Sequence, residues 1–203
     1  MKNILMKGFL LAVGFFLGFI TNNLISQEQL DYEQVTFEVS GESAIMRGVI
    51  DSSAIDSFDE LMSENPELKN IIMEDVMGSA DDDANLILSR KVREKGLNTY
   101  LPKDGQIASG GTDFFCAGVK RTIEEGAVIG VHSWATDEIN DASELSKDDE
   151  GHKPYLSYYD EMGIPKEFYW FTINAAPGTD MHNMTIEEIE KYNIATEIVK
   201  ADE

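Results

Sequence analysis

The stretch that decides the fold is "ASGGTDFFCAG", residues 108–118. A serine and two glycines are typical of a surface turn, yet an apolar, helix-capable run follows them at once. A short predicted strand, 106–108, comes directly before the turn. A strand that turns sharply into a helix places the turn at the carboxyl edge of the sheet, where ligands bind in open α/β proteins. The sequence therefore predicts a strand–turn–helix unit that holds Ser109 at a binding edge.

Ser109 in this place has the surroundings that a nucleophile needs. The start of a helix supplies unpaired N–H groups and the positive end of the helix dipole, and the two glycines let a reacting group approach the backbone. The N–H of Gly110 is one candidate oxyanion donor. The tight turn of Gly78 and Ser79, which ends the preceding long strand 68–76, is the candidate for the second donor.

A serine nucleophile also needs a base and a group that orients the base. His132 ends the predicted strand 127–131, and neighbouring parallel strands lie about 4.8 Å apart. His132 therefore reaches Ser109 if the two strands are neighbours. Asp180, just ahead of the last predicted helix, is the candidate orienting acid, and His182 is the alternative. Turns and histidines of this kind are more often structural than catalytic, so the residues alone leave both interpretations open.

The remainder of the chain predicts one α/β domain, 28–203, with parallel βαβ units. The last predicted helix, 185–192, begins with a capping box made by Thr185 and Glu188. An aromatic-rich segment ahead of it, with Tyr155, Tyr158 and Tyr159 at helical spacing, is interpreted either as an oligomer interface or as packing over the sheet. Earlier elements are predicted as strands at 35–39, 44–50, 68–76 and 97–101 and as helices at 52–65 and from about 81 to Gly96.

The first 27 residues predict export. Lys2 and Lys7 stand before an uncharged apolar run, 8–20, whose length suits a signal peptide and is short for a membrane span. No A-x-A cleavage site follows, so a cleaved signal peptide and an uncleaved transmembrane signal anchor both remain open. In either case the lysines stay in the cytoplasm and the domain is periplasmic, or anchored in the inner membrane facing outward.

Charge and cysteine content exclude several classes of partner and site. The 16 basic and 38 acidic residues give a formal charge of −22, which repels a nucleic-acid backbone. Cys116 is the single cysteine, so an intrachain disulfide and a cysteine-based metal site are both excluded. The spacing of His132, His152 and His182 matches no metal motif. The sequence predicts no metal, no cofactor and no nucleic-acid partner.

The block that starts at Ser109 resembles the proteolytic subunit of the Clp protease and its ClpP/crotonase-like superfamily. In that family the nucleophilic serine is followed by a glycine two positions on and by Ala-Gly eight and nine positions on, which here are Gly111, Ala117 and Gly118. A basic linker, a short strand and the catalytic histidine follow, and here His132 takes that last place. The blocks "GSADDDAN", "GVHSW" and "YYDEMGIP" resemble a group of predicted exported ClpP-like bacterial proteins.

The resemblance implies a ClpP/crotonase-like spiral of ββα units and an extracytoplasmic serine hydrolase, a peptidase that forms homo-oligomers and cleaves a peptide or protein substrate. Ser109, His132 and Asp180 are the implied catalytic residues, and the turn of Gly78 and Ser79 with Gly110 is the implied oxyanion hole. The family's Ser-Pro-Gly-Gly turn is altered here, which favours one alternative, a catalytically silent module that binds peptides or partner proteins. A crotonase-like acyl-CoA enzyme fits poorly with export, because CoA is cytoplasmic. Trp134 is interpreted as core rather than as a wall of the site.

Overall fold

A computed structural model describes residues 32–136 and 138–200. The predicted signal peptide or anchor, 1–27, lies outside these residues. Within the described part of the chain, no helix is long and apolar enough to cross a membrane.

The domain begins with a β-hairpin packed beside a helix. Strands β1 (Thr36–Ser40) and β2 (Ser43–Arg47) pair antiparallel, and their turn needs Gly41, whose φ is 61°. Helix α1 (Ser53–Glu64) follows and buries Ala54, Phe58 and Leu61. These three positions repeat at helical spacing, which is the reason that the segment folds as an amphipathic helix.

Strand β3 (Asn70–Val76) is the branch point of the sheet. Its first half pairs in parallel with β4 (Asn98–Leu101), and its last residues pair in parallel with β5 (Gln106–Ala108). On its other side β3 pairs in parallel with β2. In the run "NIIMEDV", Ile71, Met73 and Val76 are buried and Asp75 is exposed, so the strand turns mainly one face to the core.

Two arms of the sheet leave β3. One arm continues from β4 through β6 (Arg121–Glu124) to β9 (Glu197–Val199), all parallel. The other continues from β5 to the parallel β7 (Val128–Val131) and then to the antiparallel β8 (His182–Asn183). The second arm brings the carboxyl ends of β3, β5 and β7 side by side.

The helices cover these arms. Helix α2 (Asp82–Glu94) starts at Asp81, whose carboxylate accepts a hydrogen bond from the N–H of Ala84 at 2.9 Å, as an N-cap does. Helix α3 (Gly110–Cys116) packs against α2 and β5. The remaining helices are α4 (Lys153–Glu161), α5 (Lys166–Ala175) and α6 (Ile186–Lys191). The capping box predicted at the start of α6 is confirmed, with Thr185 and Glu188 bonding to each other's backbone.

The aromatic segment packs within the chain. It forms α4 and α5, and the rings of Tyr158, Tyr159 and Tyr169 are fully buried. His152, which precedes α4, is buried as well and hydrogen-bonds to the hydroxyl of Tyr169 and the carbonyl of Ser146. The tyrosines at helical spacing therefore build core contacts, as one of the two interpretations of this segment predicted.

Candidate active site

Three neighbouring strand ends carry the candidate residues. The turn of Gly78 and Ser79 follows β3, Ser109 follows β5, and His132 follows β7. Because β5 pairs with both β3 and β7, the prediction that the strands of Ser109 and His132 are neighbours is confirmed. The N–H of Ser109 donates to the carbonyl of Gly130 at 3.1 Å, which fixes the two strand ends together.

The two glycines after Ser109 are explained by close backbone contacts. A Cβ atom on Gly111 would lie 2.1 Å from the carbonyl oxygen of Val76, and one on Gly110 would lie 2.2 Å from the hydroxyl oxygen of Ser79. Any side chain at either place would push α3 away from the end of β3. The glycines therefore let the turn after β3 and the start of α3 touch.

Ser109 has a backbone conformation that serine rarely adopts. Its φ is 52° and its ψ is −127°, a region that costs a residue with a Cβ atom on the order of 1–3 kcal/mol. The hydroxyl is not used to cap α3, and it lines a pocket instead. Strained residues of this kind cluster at functional sites because the surrounding structure holds a side chain in a useful position.

His132 is held in one tautomer. Its Nδ1 atom lies 2.8 Å from the carbonyl oxygen of Ser133, and a carbonyl oxygen only accepts hydrogen bonds. The proton of the neutral imidazole is therefore on Nδ1, and Nε2 carries the lone pair. A base that is to take a proton from a serine hydroxyl needs that free nitrogen.

Ser109 and His132 line one small pocket of about 30 Å³. Among the described residues there is no direct hydrogen bond between the two side chains. The volume is enough for one or two water molecules in the pocket. The wall of the pocket is built by Asp82, Thr112, Asp113, Val131, Trp134, Tyr155, Tyr159, Tyr169 and Thr172.

Two carboxylates in the wall give the pocket an acidic side. Asp82 accepts hydrogen bonds from the hydroxyls of Ser79 and Tyr155, and Asp113 accepts one from Tyr159. Burial raises the pKa of Asp113 to about 7, and the nearby charge of Asp82 adds to this rise. Burial also raises the pKa of Tyr155. Burial therefore favours the protonated form of the Asp113 carboxyl.

The turn after β3, which holds the candidate second donor, lies beside Ser109. The N–H of Ile50 donates to the carbonyl of Gly78, and the carbonyl of Ile50 accepts from the N–H of Ala80. In such a parallel pair the N–H of the residue between them, Ser79, points away from Ile50. Gly110 packs against the Ser79 side chain. A Cβ atom on Gly78, whose φ is 152°, would lie 3.9 Å from the Ser109 hydroxyl oxygen. The turn of Gly78 and Ser79 thus lies next to Ser109, and the N–H groups of Ser79 and Gly110 remain the candidate oxyanion donors.

Comparison with solved structures identifies the fold. A structure of the 1510-N membrane-bound stomatin-specific protease in complex with a substrate peptide matches with a TM-score of 0.50 and 17% identity, over 73% of this chain and 69% of the protease chain. An enoyl-CoA hydratase from Polaromonas sp. JS666 matches with a TM-score of 0.53 and 10% identity, over 83% of this chain and 72% of the hydratase. The chain has the ClpP/crotonase-like fold.

The ClpP/crotonase-like fold does not by itself choose an activity. A methylmalonyl CoA decarboxylase also matches, with a TM-score of 0.52 and 12% identity over 84% of this chain and 69% of the decarboxylase. No protein-family model and no curated protein sequence matches the chain. Because proteases and acyl-CoA enzymes share this fold, the activity has to be argued from the site.

The two candidates for the third catalytic residue hydrogen-bond to groups other than His132. Asp180 is exposed, and its carboxylate accepts a hydrogen bond from the N–H of Met181 at 2.8 Å. His182 lies on β8, with its Nε2 atom 2.8 Å from a carboxylate oxygen of Glu188. In the described residues, the ring of His132 bonds instead to the carbonyl of Ser133. Within the same residues, no three His, Cys, Asp or Glu side chains are grouped to hold a metal ion.

None of the wall residues was predicted as part of the site, and Trp134, Asp113 and Asp82 are the most informative of them. Trp134, interpreted from the sequence as core, lines the pocket and donates from its indole N–H to the hydroxyl of Tyr169. Asp113 stands four positions after Ser109, one helical turn along α3, and Asp82 stands three positions after Ser79. This i+3 and i+4 spacing is the sequence signal that would have found both carboxylates.

Proposed function

We propose that this protein is an extracytoplasmic serine hydrolase, a ClpP-like peptidase, with Ser109 as nucleophile and His132 as base. The observation that carries the proposal is the strained Ser109, whose hydroxyl shares a pocket with a histidine held in the Nδ1–H tautomer. The Ser109 hydroxyl also has no capping role, because it makes no hydrogen bond to the backbone of α3.

The geometry supports a chain of proton and bond transfers. The Ser109 oxygen attacks a carbonyl carbon, and its proton passes to Nε2 of His132, directly or through a water molecule in the pocket. The carbonyl oxygen becomes an oxyanion, which the N–H groups of Ser79 and Gly110 stabilise. The bond to the leaving amine then breaks as His132 returns the proton to that amine. Water hydrolyses the acyl-enzyme by the same steps in reverse order.

The lack of a direct hydrogen bond between the Ser109 and His132 side chains in the described residues is compatible with this scheme. Catalytic hydrogen bonds are often long in an unliganded enzyme and tighten when substrate excludes water. The formal charge of −22 opposes binding of the CoA phosphates by charge repulsion. This charge favours a peptide substrate over the acyl-CoA substrates of other proteins with this fold.

A fluorophosphonate probe tests the proposal directly. The serine oxygen displaces fluoride from phosphorus, so a phosphorus–oxygen bond forms, the phosphorus–fluorine bond breaks, and the proton goes to His132. We expect wild type to be labelled at Ser109 as read by peptide mass spectrometry, and Ser109→Ala to be unlabelled. His132→Gln should label at least about a hundredfold more slowly, since a general base contributes about that much or more.

A matched control and a second outcome complete the test. Ser57→Ala removes a hydroxyl from the exposed face of α1 and should be labelled like wild type. Wild type that stays unlabelled while folded would overturn the hydrolase proposal. Binding of a peptide under those conditions would favour the alternative, a silent ClpP-like module that binds peptides or partner proteins.

Export is the second part of the proposal and rests on the sequence of residues 1–27. Lys2 and Lys7 ahead of the apolar run 8–20 support a signal peptide or signal anchor. An alkaline phosphatase domain fused after residue 203 should be active, because that enzyme needs an oxidising compartment to form its disulfides. Replacing Lys2 and Lys7 by glutamate should reduce this activity. An inactive fusion that accumulates in the cytoplasm would contradict export.

A further inference from the structure

The carbonyl group of Ser133 takes the position relative to His132 that a carboxylate takes in a catalytic triad. It accepts the Nδ1–H proton at 2.8 Å and so leaves Nε2 unprotonated in a histidine that lines the pocket. A carbonyl oxygen does this only while its peptide is held in one orientation. The question is therefore what holds the peptide of Ser133.

Ser133 is anchored on two sides and is fully buried. Its N–H donates to the carbonyl of Ala176 at 2.8 Å. Its hydroxyl donates to a carboxylate oxygen of Asp141 at 2.6 Å. The first bond ties the residue to the segment after α5, and the second ties it to the polar segment between β7 and α4.

Asp141 fixes that polar segment as well as the serine. The same carboxylate oxygen accepts the N–H of Ser143 at 2.9 Å and caps the 3₁₀ turn Ala142–Glu144. The N–H of Ala142 donates to the carbonyl of Trp134 at 3.0 Å. The hydrogen bonds from Ser133 and Ser143 hold the pKa of Asp141 below its ordinary value, so the group is an anionic acceptor at neutral pH.

A third contact closes the space around the Ser133 carbonyl. Gly178 packs against it so closely that a Cβ atom there would lie 3.1 Å from the oxygen. The carbonyl thus has a fixed direction, with the imidazole of His132 as its hydrogen-bond partner. Asp180 lies two residues further on, but its carboxylate turns to the N–H of Met181.

We propose that Asp141, acting through Ser133, is the positioning residue that holds His132 in its base-competent tautomer, in place of an aspartate that bonds to the imidazole. The inference rests on the proposed function for its catalytic meaning. Independently of catalysis, removal of the Asp141 carboxylate should change which nitrogen of His132 carries the proton.

The tautomer is measured directly by long-range ¹H–¹⁵N correlation NMR of the ¹⁵N-labelled protein, with His132 assigned by His132→Gln. Wild type should show His132 protonated on Nδ1 at pH 8, the less common form of free histidine. Asp141→Ala and Ser133→Ala should each shift the population towards the Nε2–H form. Asp141→Asn keeps an acceptor oxygen for the Ser133 hydroxyl and should behave like wild type.

The rate of fluorophosphonate labelling gives the functional readout in the same variants. Asp141→Ala and Ser133→Ala should slow labelling by about tenfold, the loss expected for one hydrogen bond, and Asp141→Asn should restore most of the rate. Asp149→Ala is the matched control, because Asp149 caps the second 3₁₀ turn, Glu150–His152, through the N–H of Gly151 at 2.9 Å. It should change neither tautomer nor rate.

The outcomes separate this inference from the proposed function. An unchanged tautomer in both folded Asp141→Ala and folded Ser133→Ala overturns the inference, even if wild type is labelled. A tautomer shift in Asp180→Ala but not in Asp141→Ala also overturns it and returns the orienting role to Asp180. A tautomer that shifts as expected in a protein that no probe labels overturns the hydrolase proposal and supports the positioning by Asp141.

Discussion

The backbone conformation of Ser109 should lower the free energy of unfolding of the domain, and a pair of substitutions measures this effect. Its φ of 52° and ψ of −127° are easy for glycine and unfavourable for alanine by about 1–3 kcal/mol. Glycine loses more chain entropy on folding, which favours alanine by about 0.5–1 kcal/mol. The Ser109→Gly variant should therefore be more stable than Ser109→Ala by about 1–2 kcal/mol. Both variants lack the hydroxyl, so its loss cancels in the comparison.

The assay is urea unfolding followed by circular dichroism, with the slope of the transition checked for equality between variants. Thermal unfolding should show the same order, with a difference of about 2–4 °C for each kcal/mol in a domain of this size. Ser57, on the exposed face of α1, provides the control. There Ser57→Ala should be more stable than Ser57→Gly by about 1 kcal/mol, because an ordinary helix position favours alanine.

The sign of the difference decides the matter. If the alanine variant at position 109 is as stable as the glycine variant or more stable, then Ser109 is not strained. Backbone strain at the turn would then not explain why the Ser109 hydroxyl lines the pocket. If the sign reverses between positions 109 and 57, the backbone at the turn is the cause.

Three further predictions concern the surroundings of the serine. Burial raises the pKa of Asp113 to about 7. The free energy of unfolding should therefore fall as pH rises from about 4 to about 7, by at most roughly 4 kcal/mol. Asp113→Asn should therefore be more stable than wild type in urea at pH 8 and nearly equal at pH 4, while Asp160→Asn on the exposed side of α4 shows no such trend. Gly111→Ala should lower the free energy of unfolding by about 3 kcal/mol or more, because its Cβ would lie 2.1 Å from the carbonyl oxygen of Val76. The control Gly96→Ala, with open space but a φ of 70°, should lower it by only about 1 kcal/mol. Equal losses in urea unfolding would contradict the steric cause. Burial raises the pKa of the Cys116 thiol to about 12, so iodoacetamide should modify it only in the unfolded protein, as mass spectrometry would show, and rapid reaction under native conditions would count against its burial.

The strand–turn–helix unit could be predicted because its causes are local. Serine and two glycines stand between a short apolar strand and an apolar helix, and the structure has β5 ending at Ala108 and α3 starting at Gly110. The capping box of Thr185 and Glu188 was predicted for the same reason, since both partners lie within one helical turn. Elements whose stability comes from their own neighbours in sequence leave a readable pattern.

Short strands at the ends of the sheet could not be predicted in this way. Strands β8 and β9 were not predicted, because two and three residues are too few to show a period of two. Strand β6, with four residues, was not predicted either. They exist because an adjacent strand offers unpaired N–H and C=O groups. The cause lies in a residue far along the chain, as in the pairing of Ile123 with Ile198.

By itself, the sequence determined an acidic α/β domain, a serine turn at a sheet edge and a histidine at the end of a later strand. Only the tertiary structure decided that β3 divides its pairing between β4 and β5, and that the ends of β3, β5 and β7 lie together. It also decided that Asp113 and Asp82 face the pocket and that a backbone carbonyl, not Asp180, receives the Nδ1 proton of His132. The reason is physical: local spacing fixes which residues can turn, but the direction of a carbonyl or carboxylate depends on packing between segments distant in sequence.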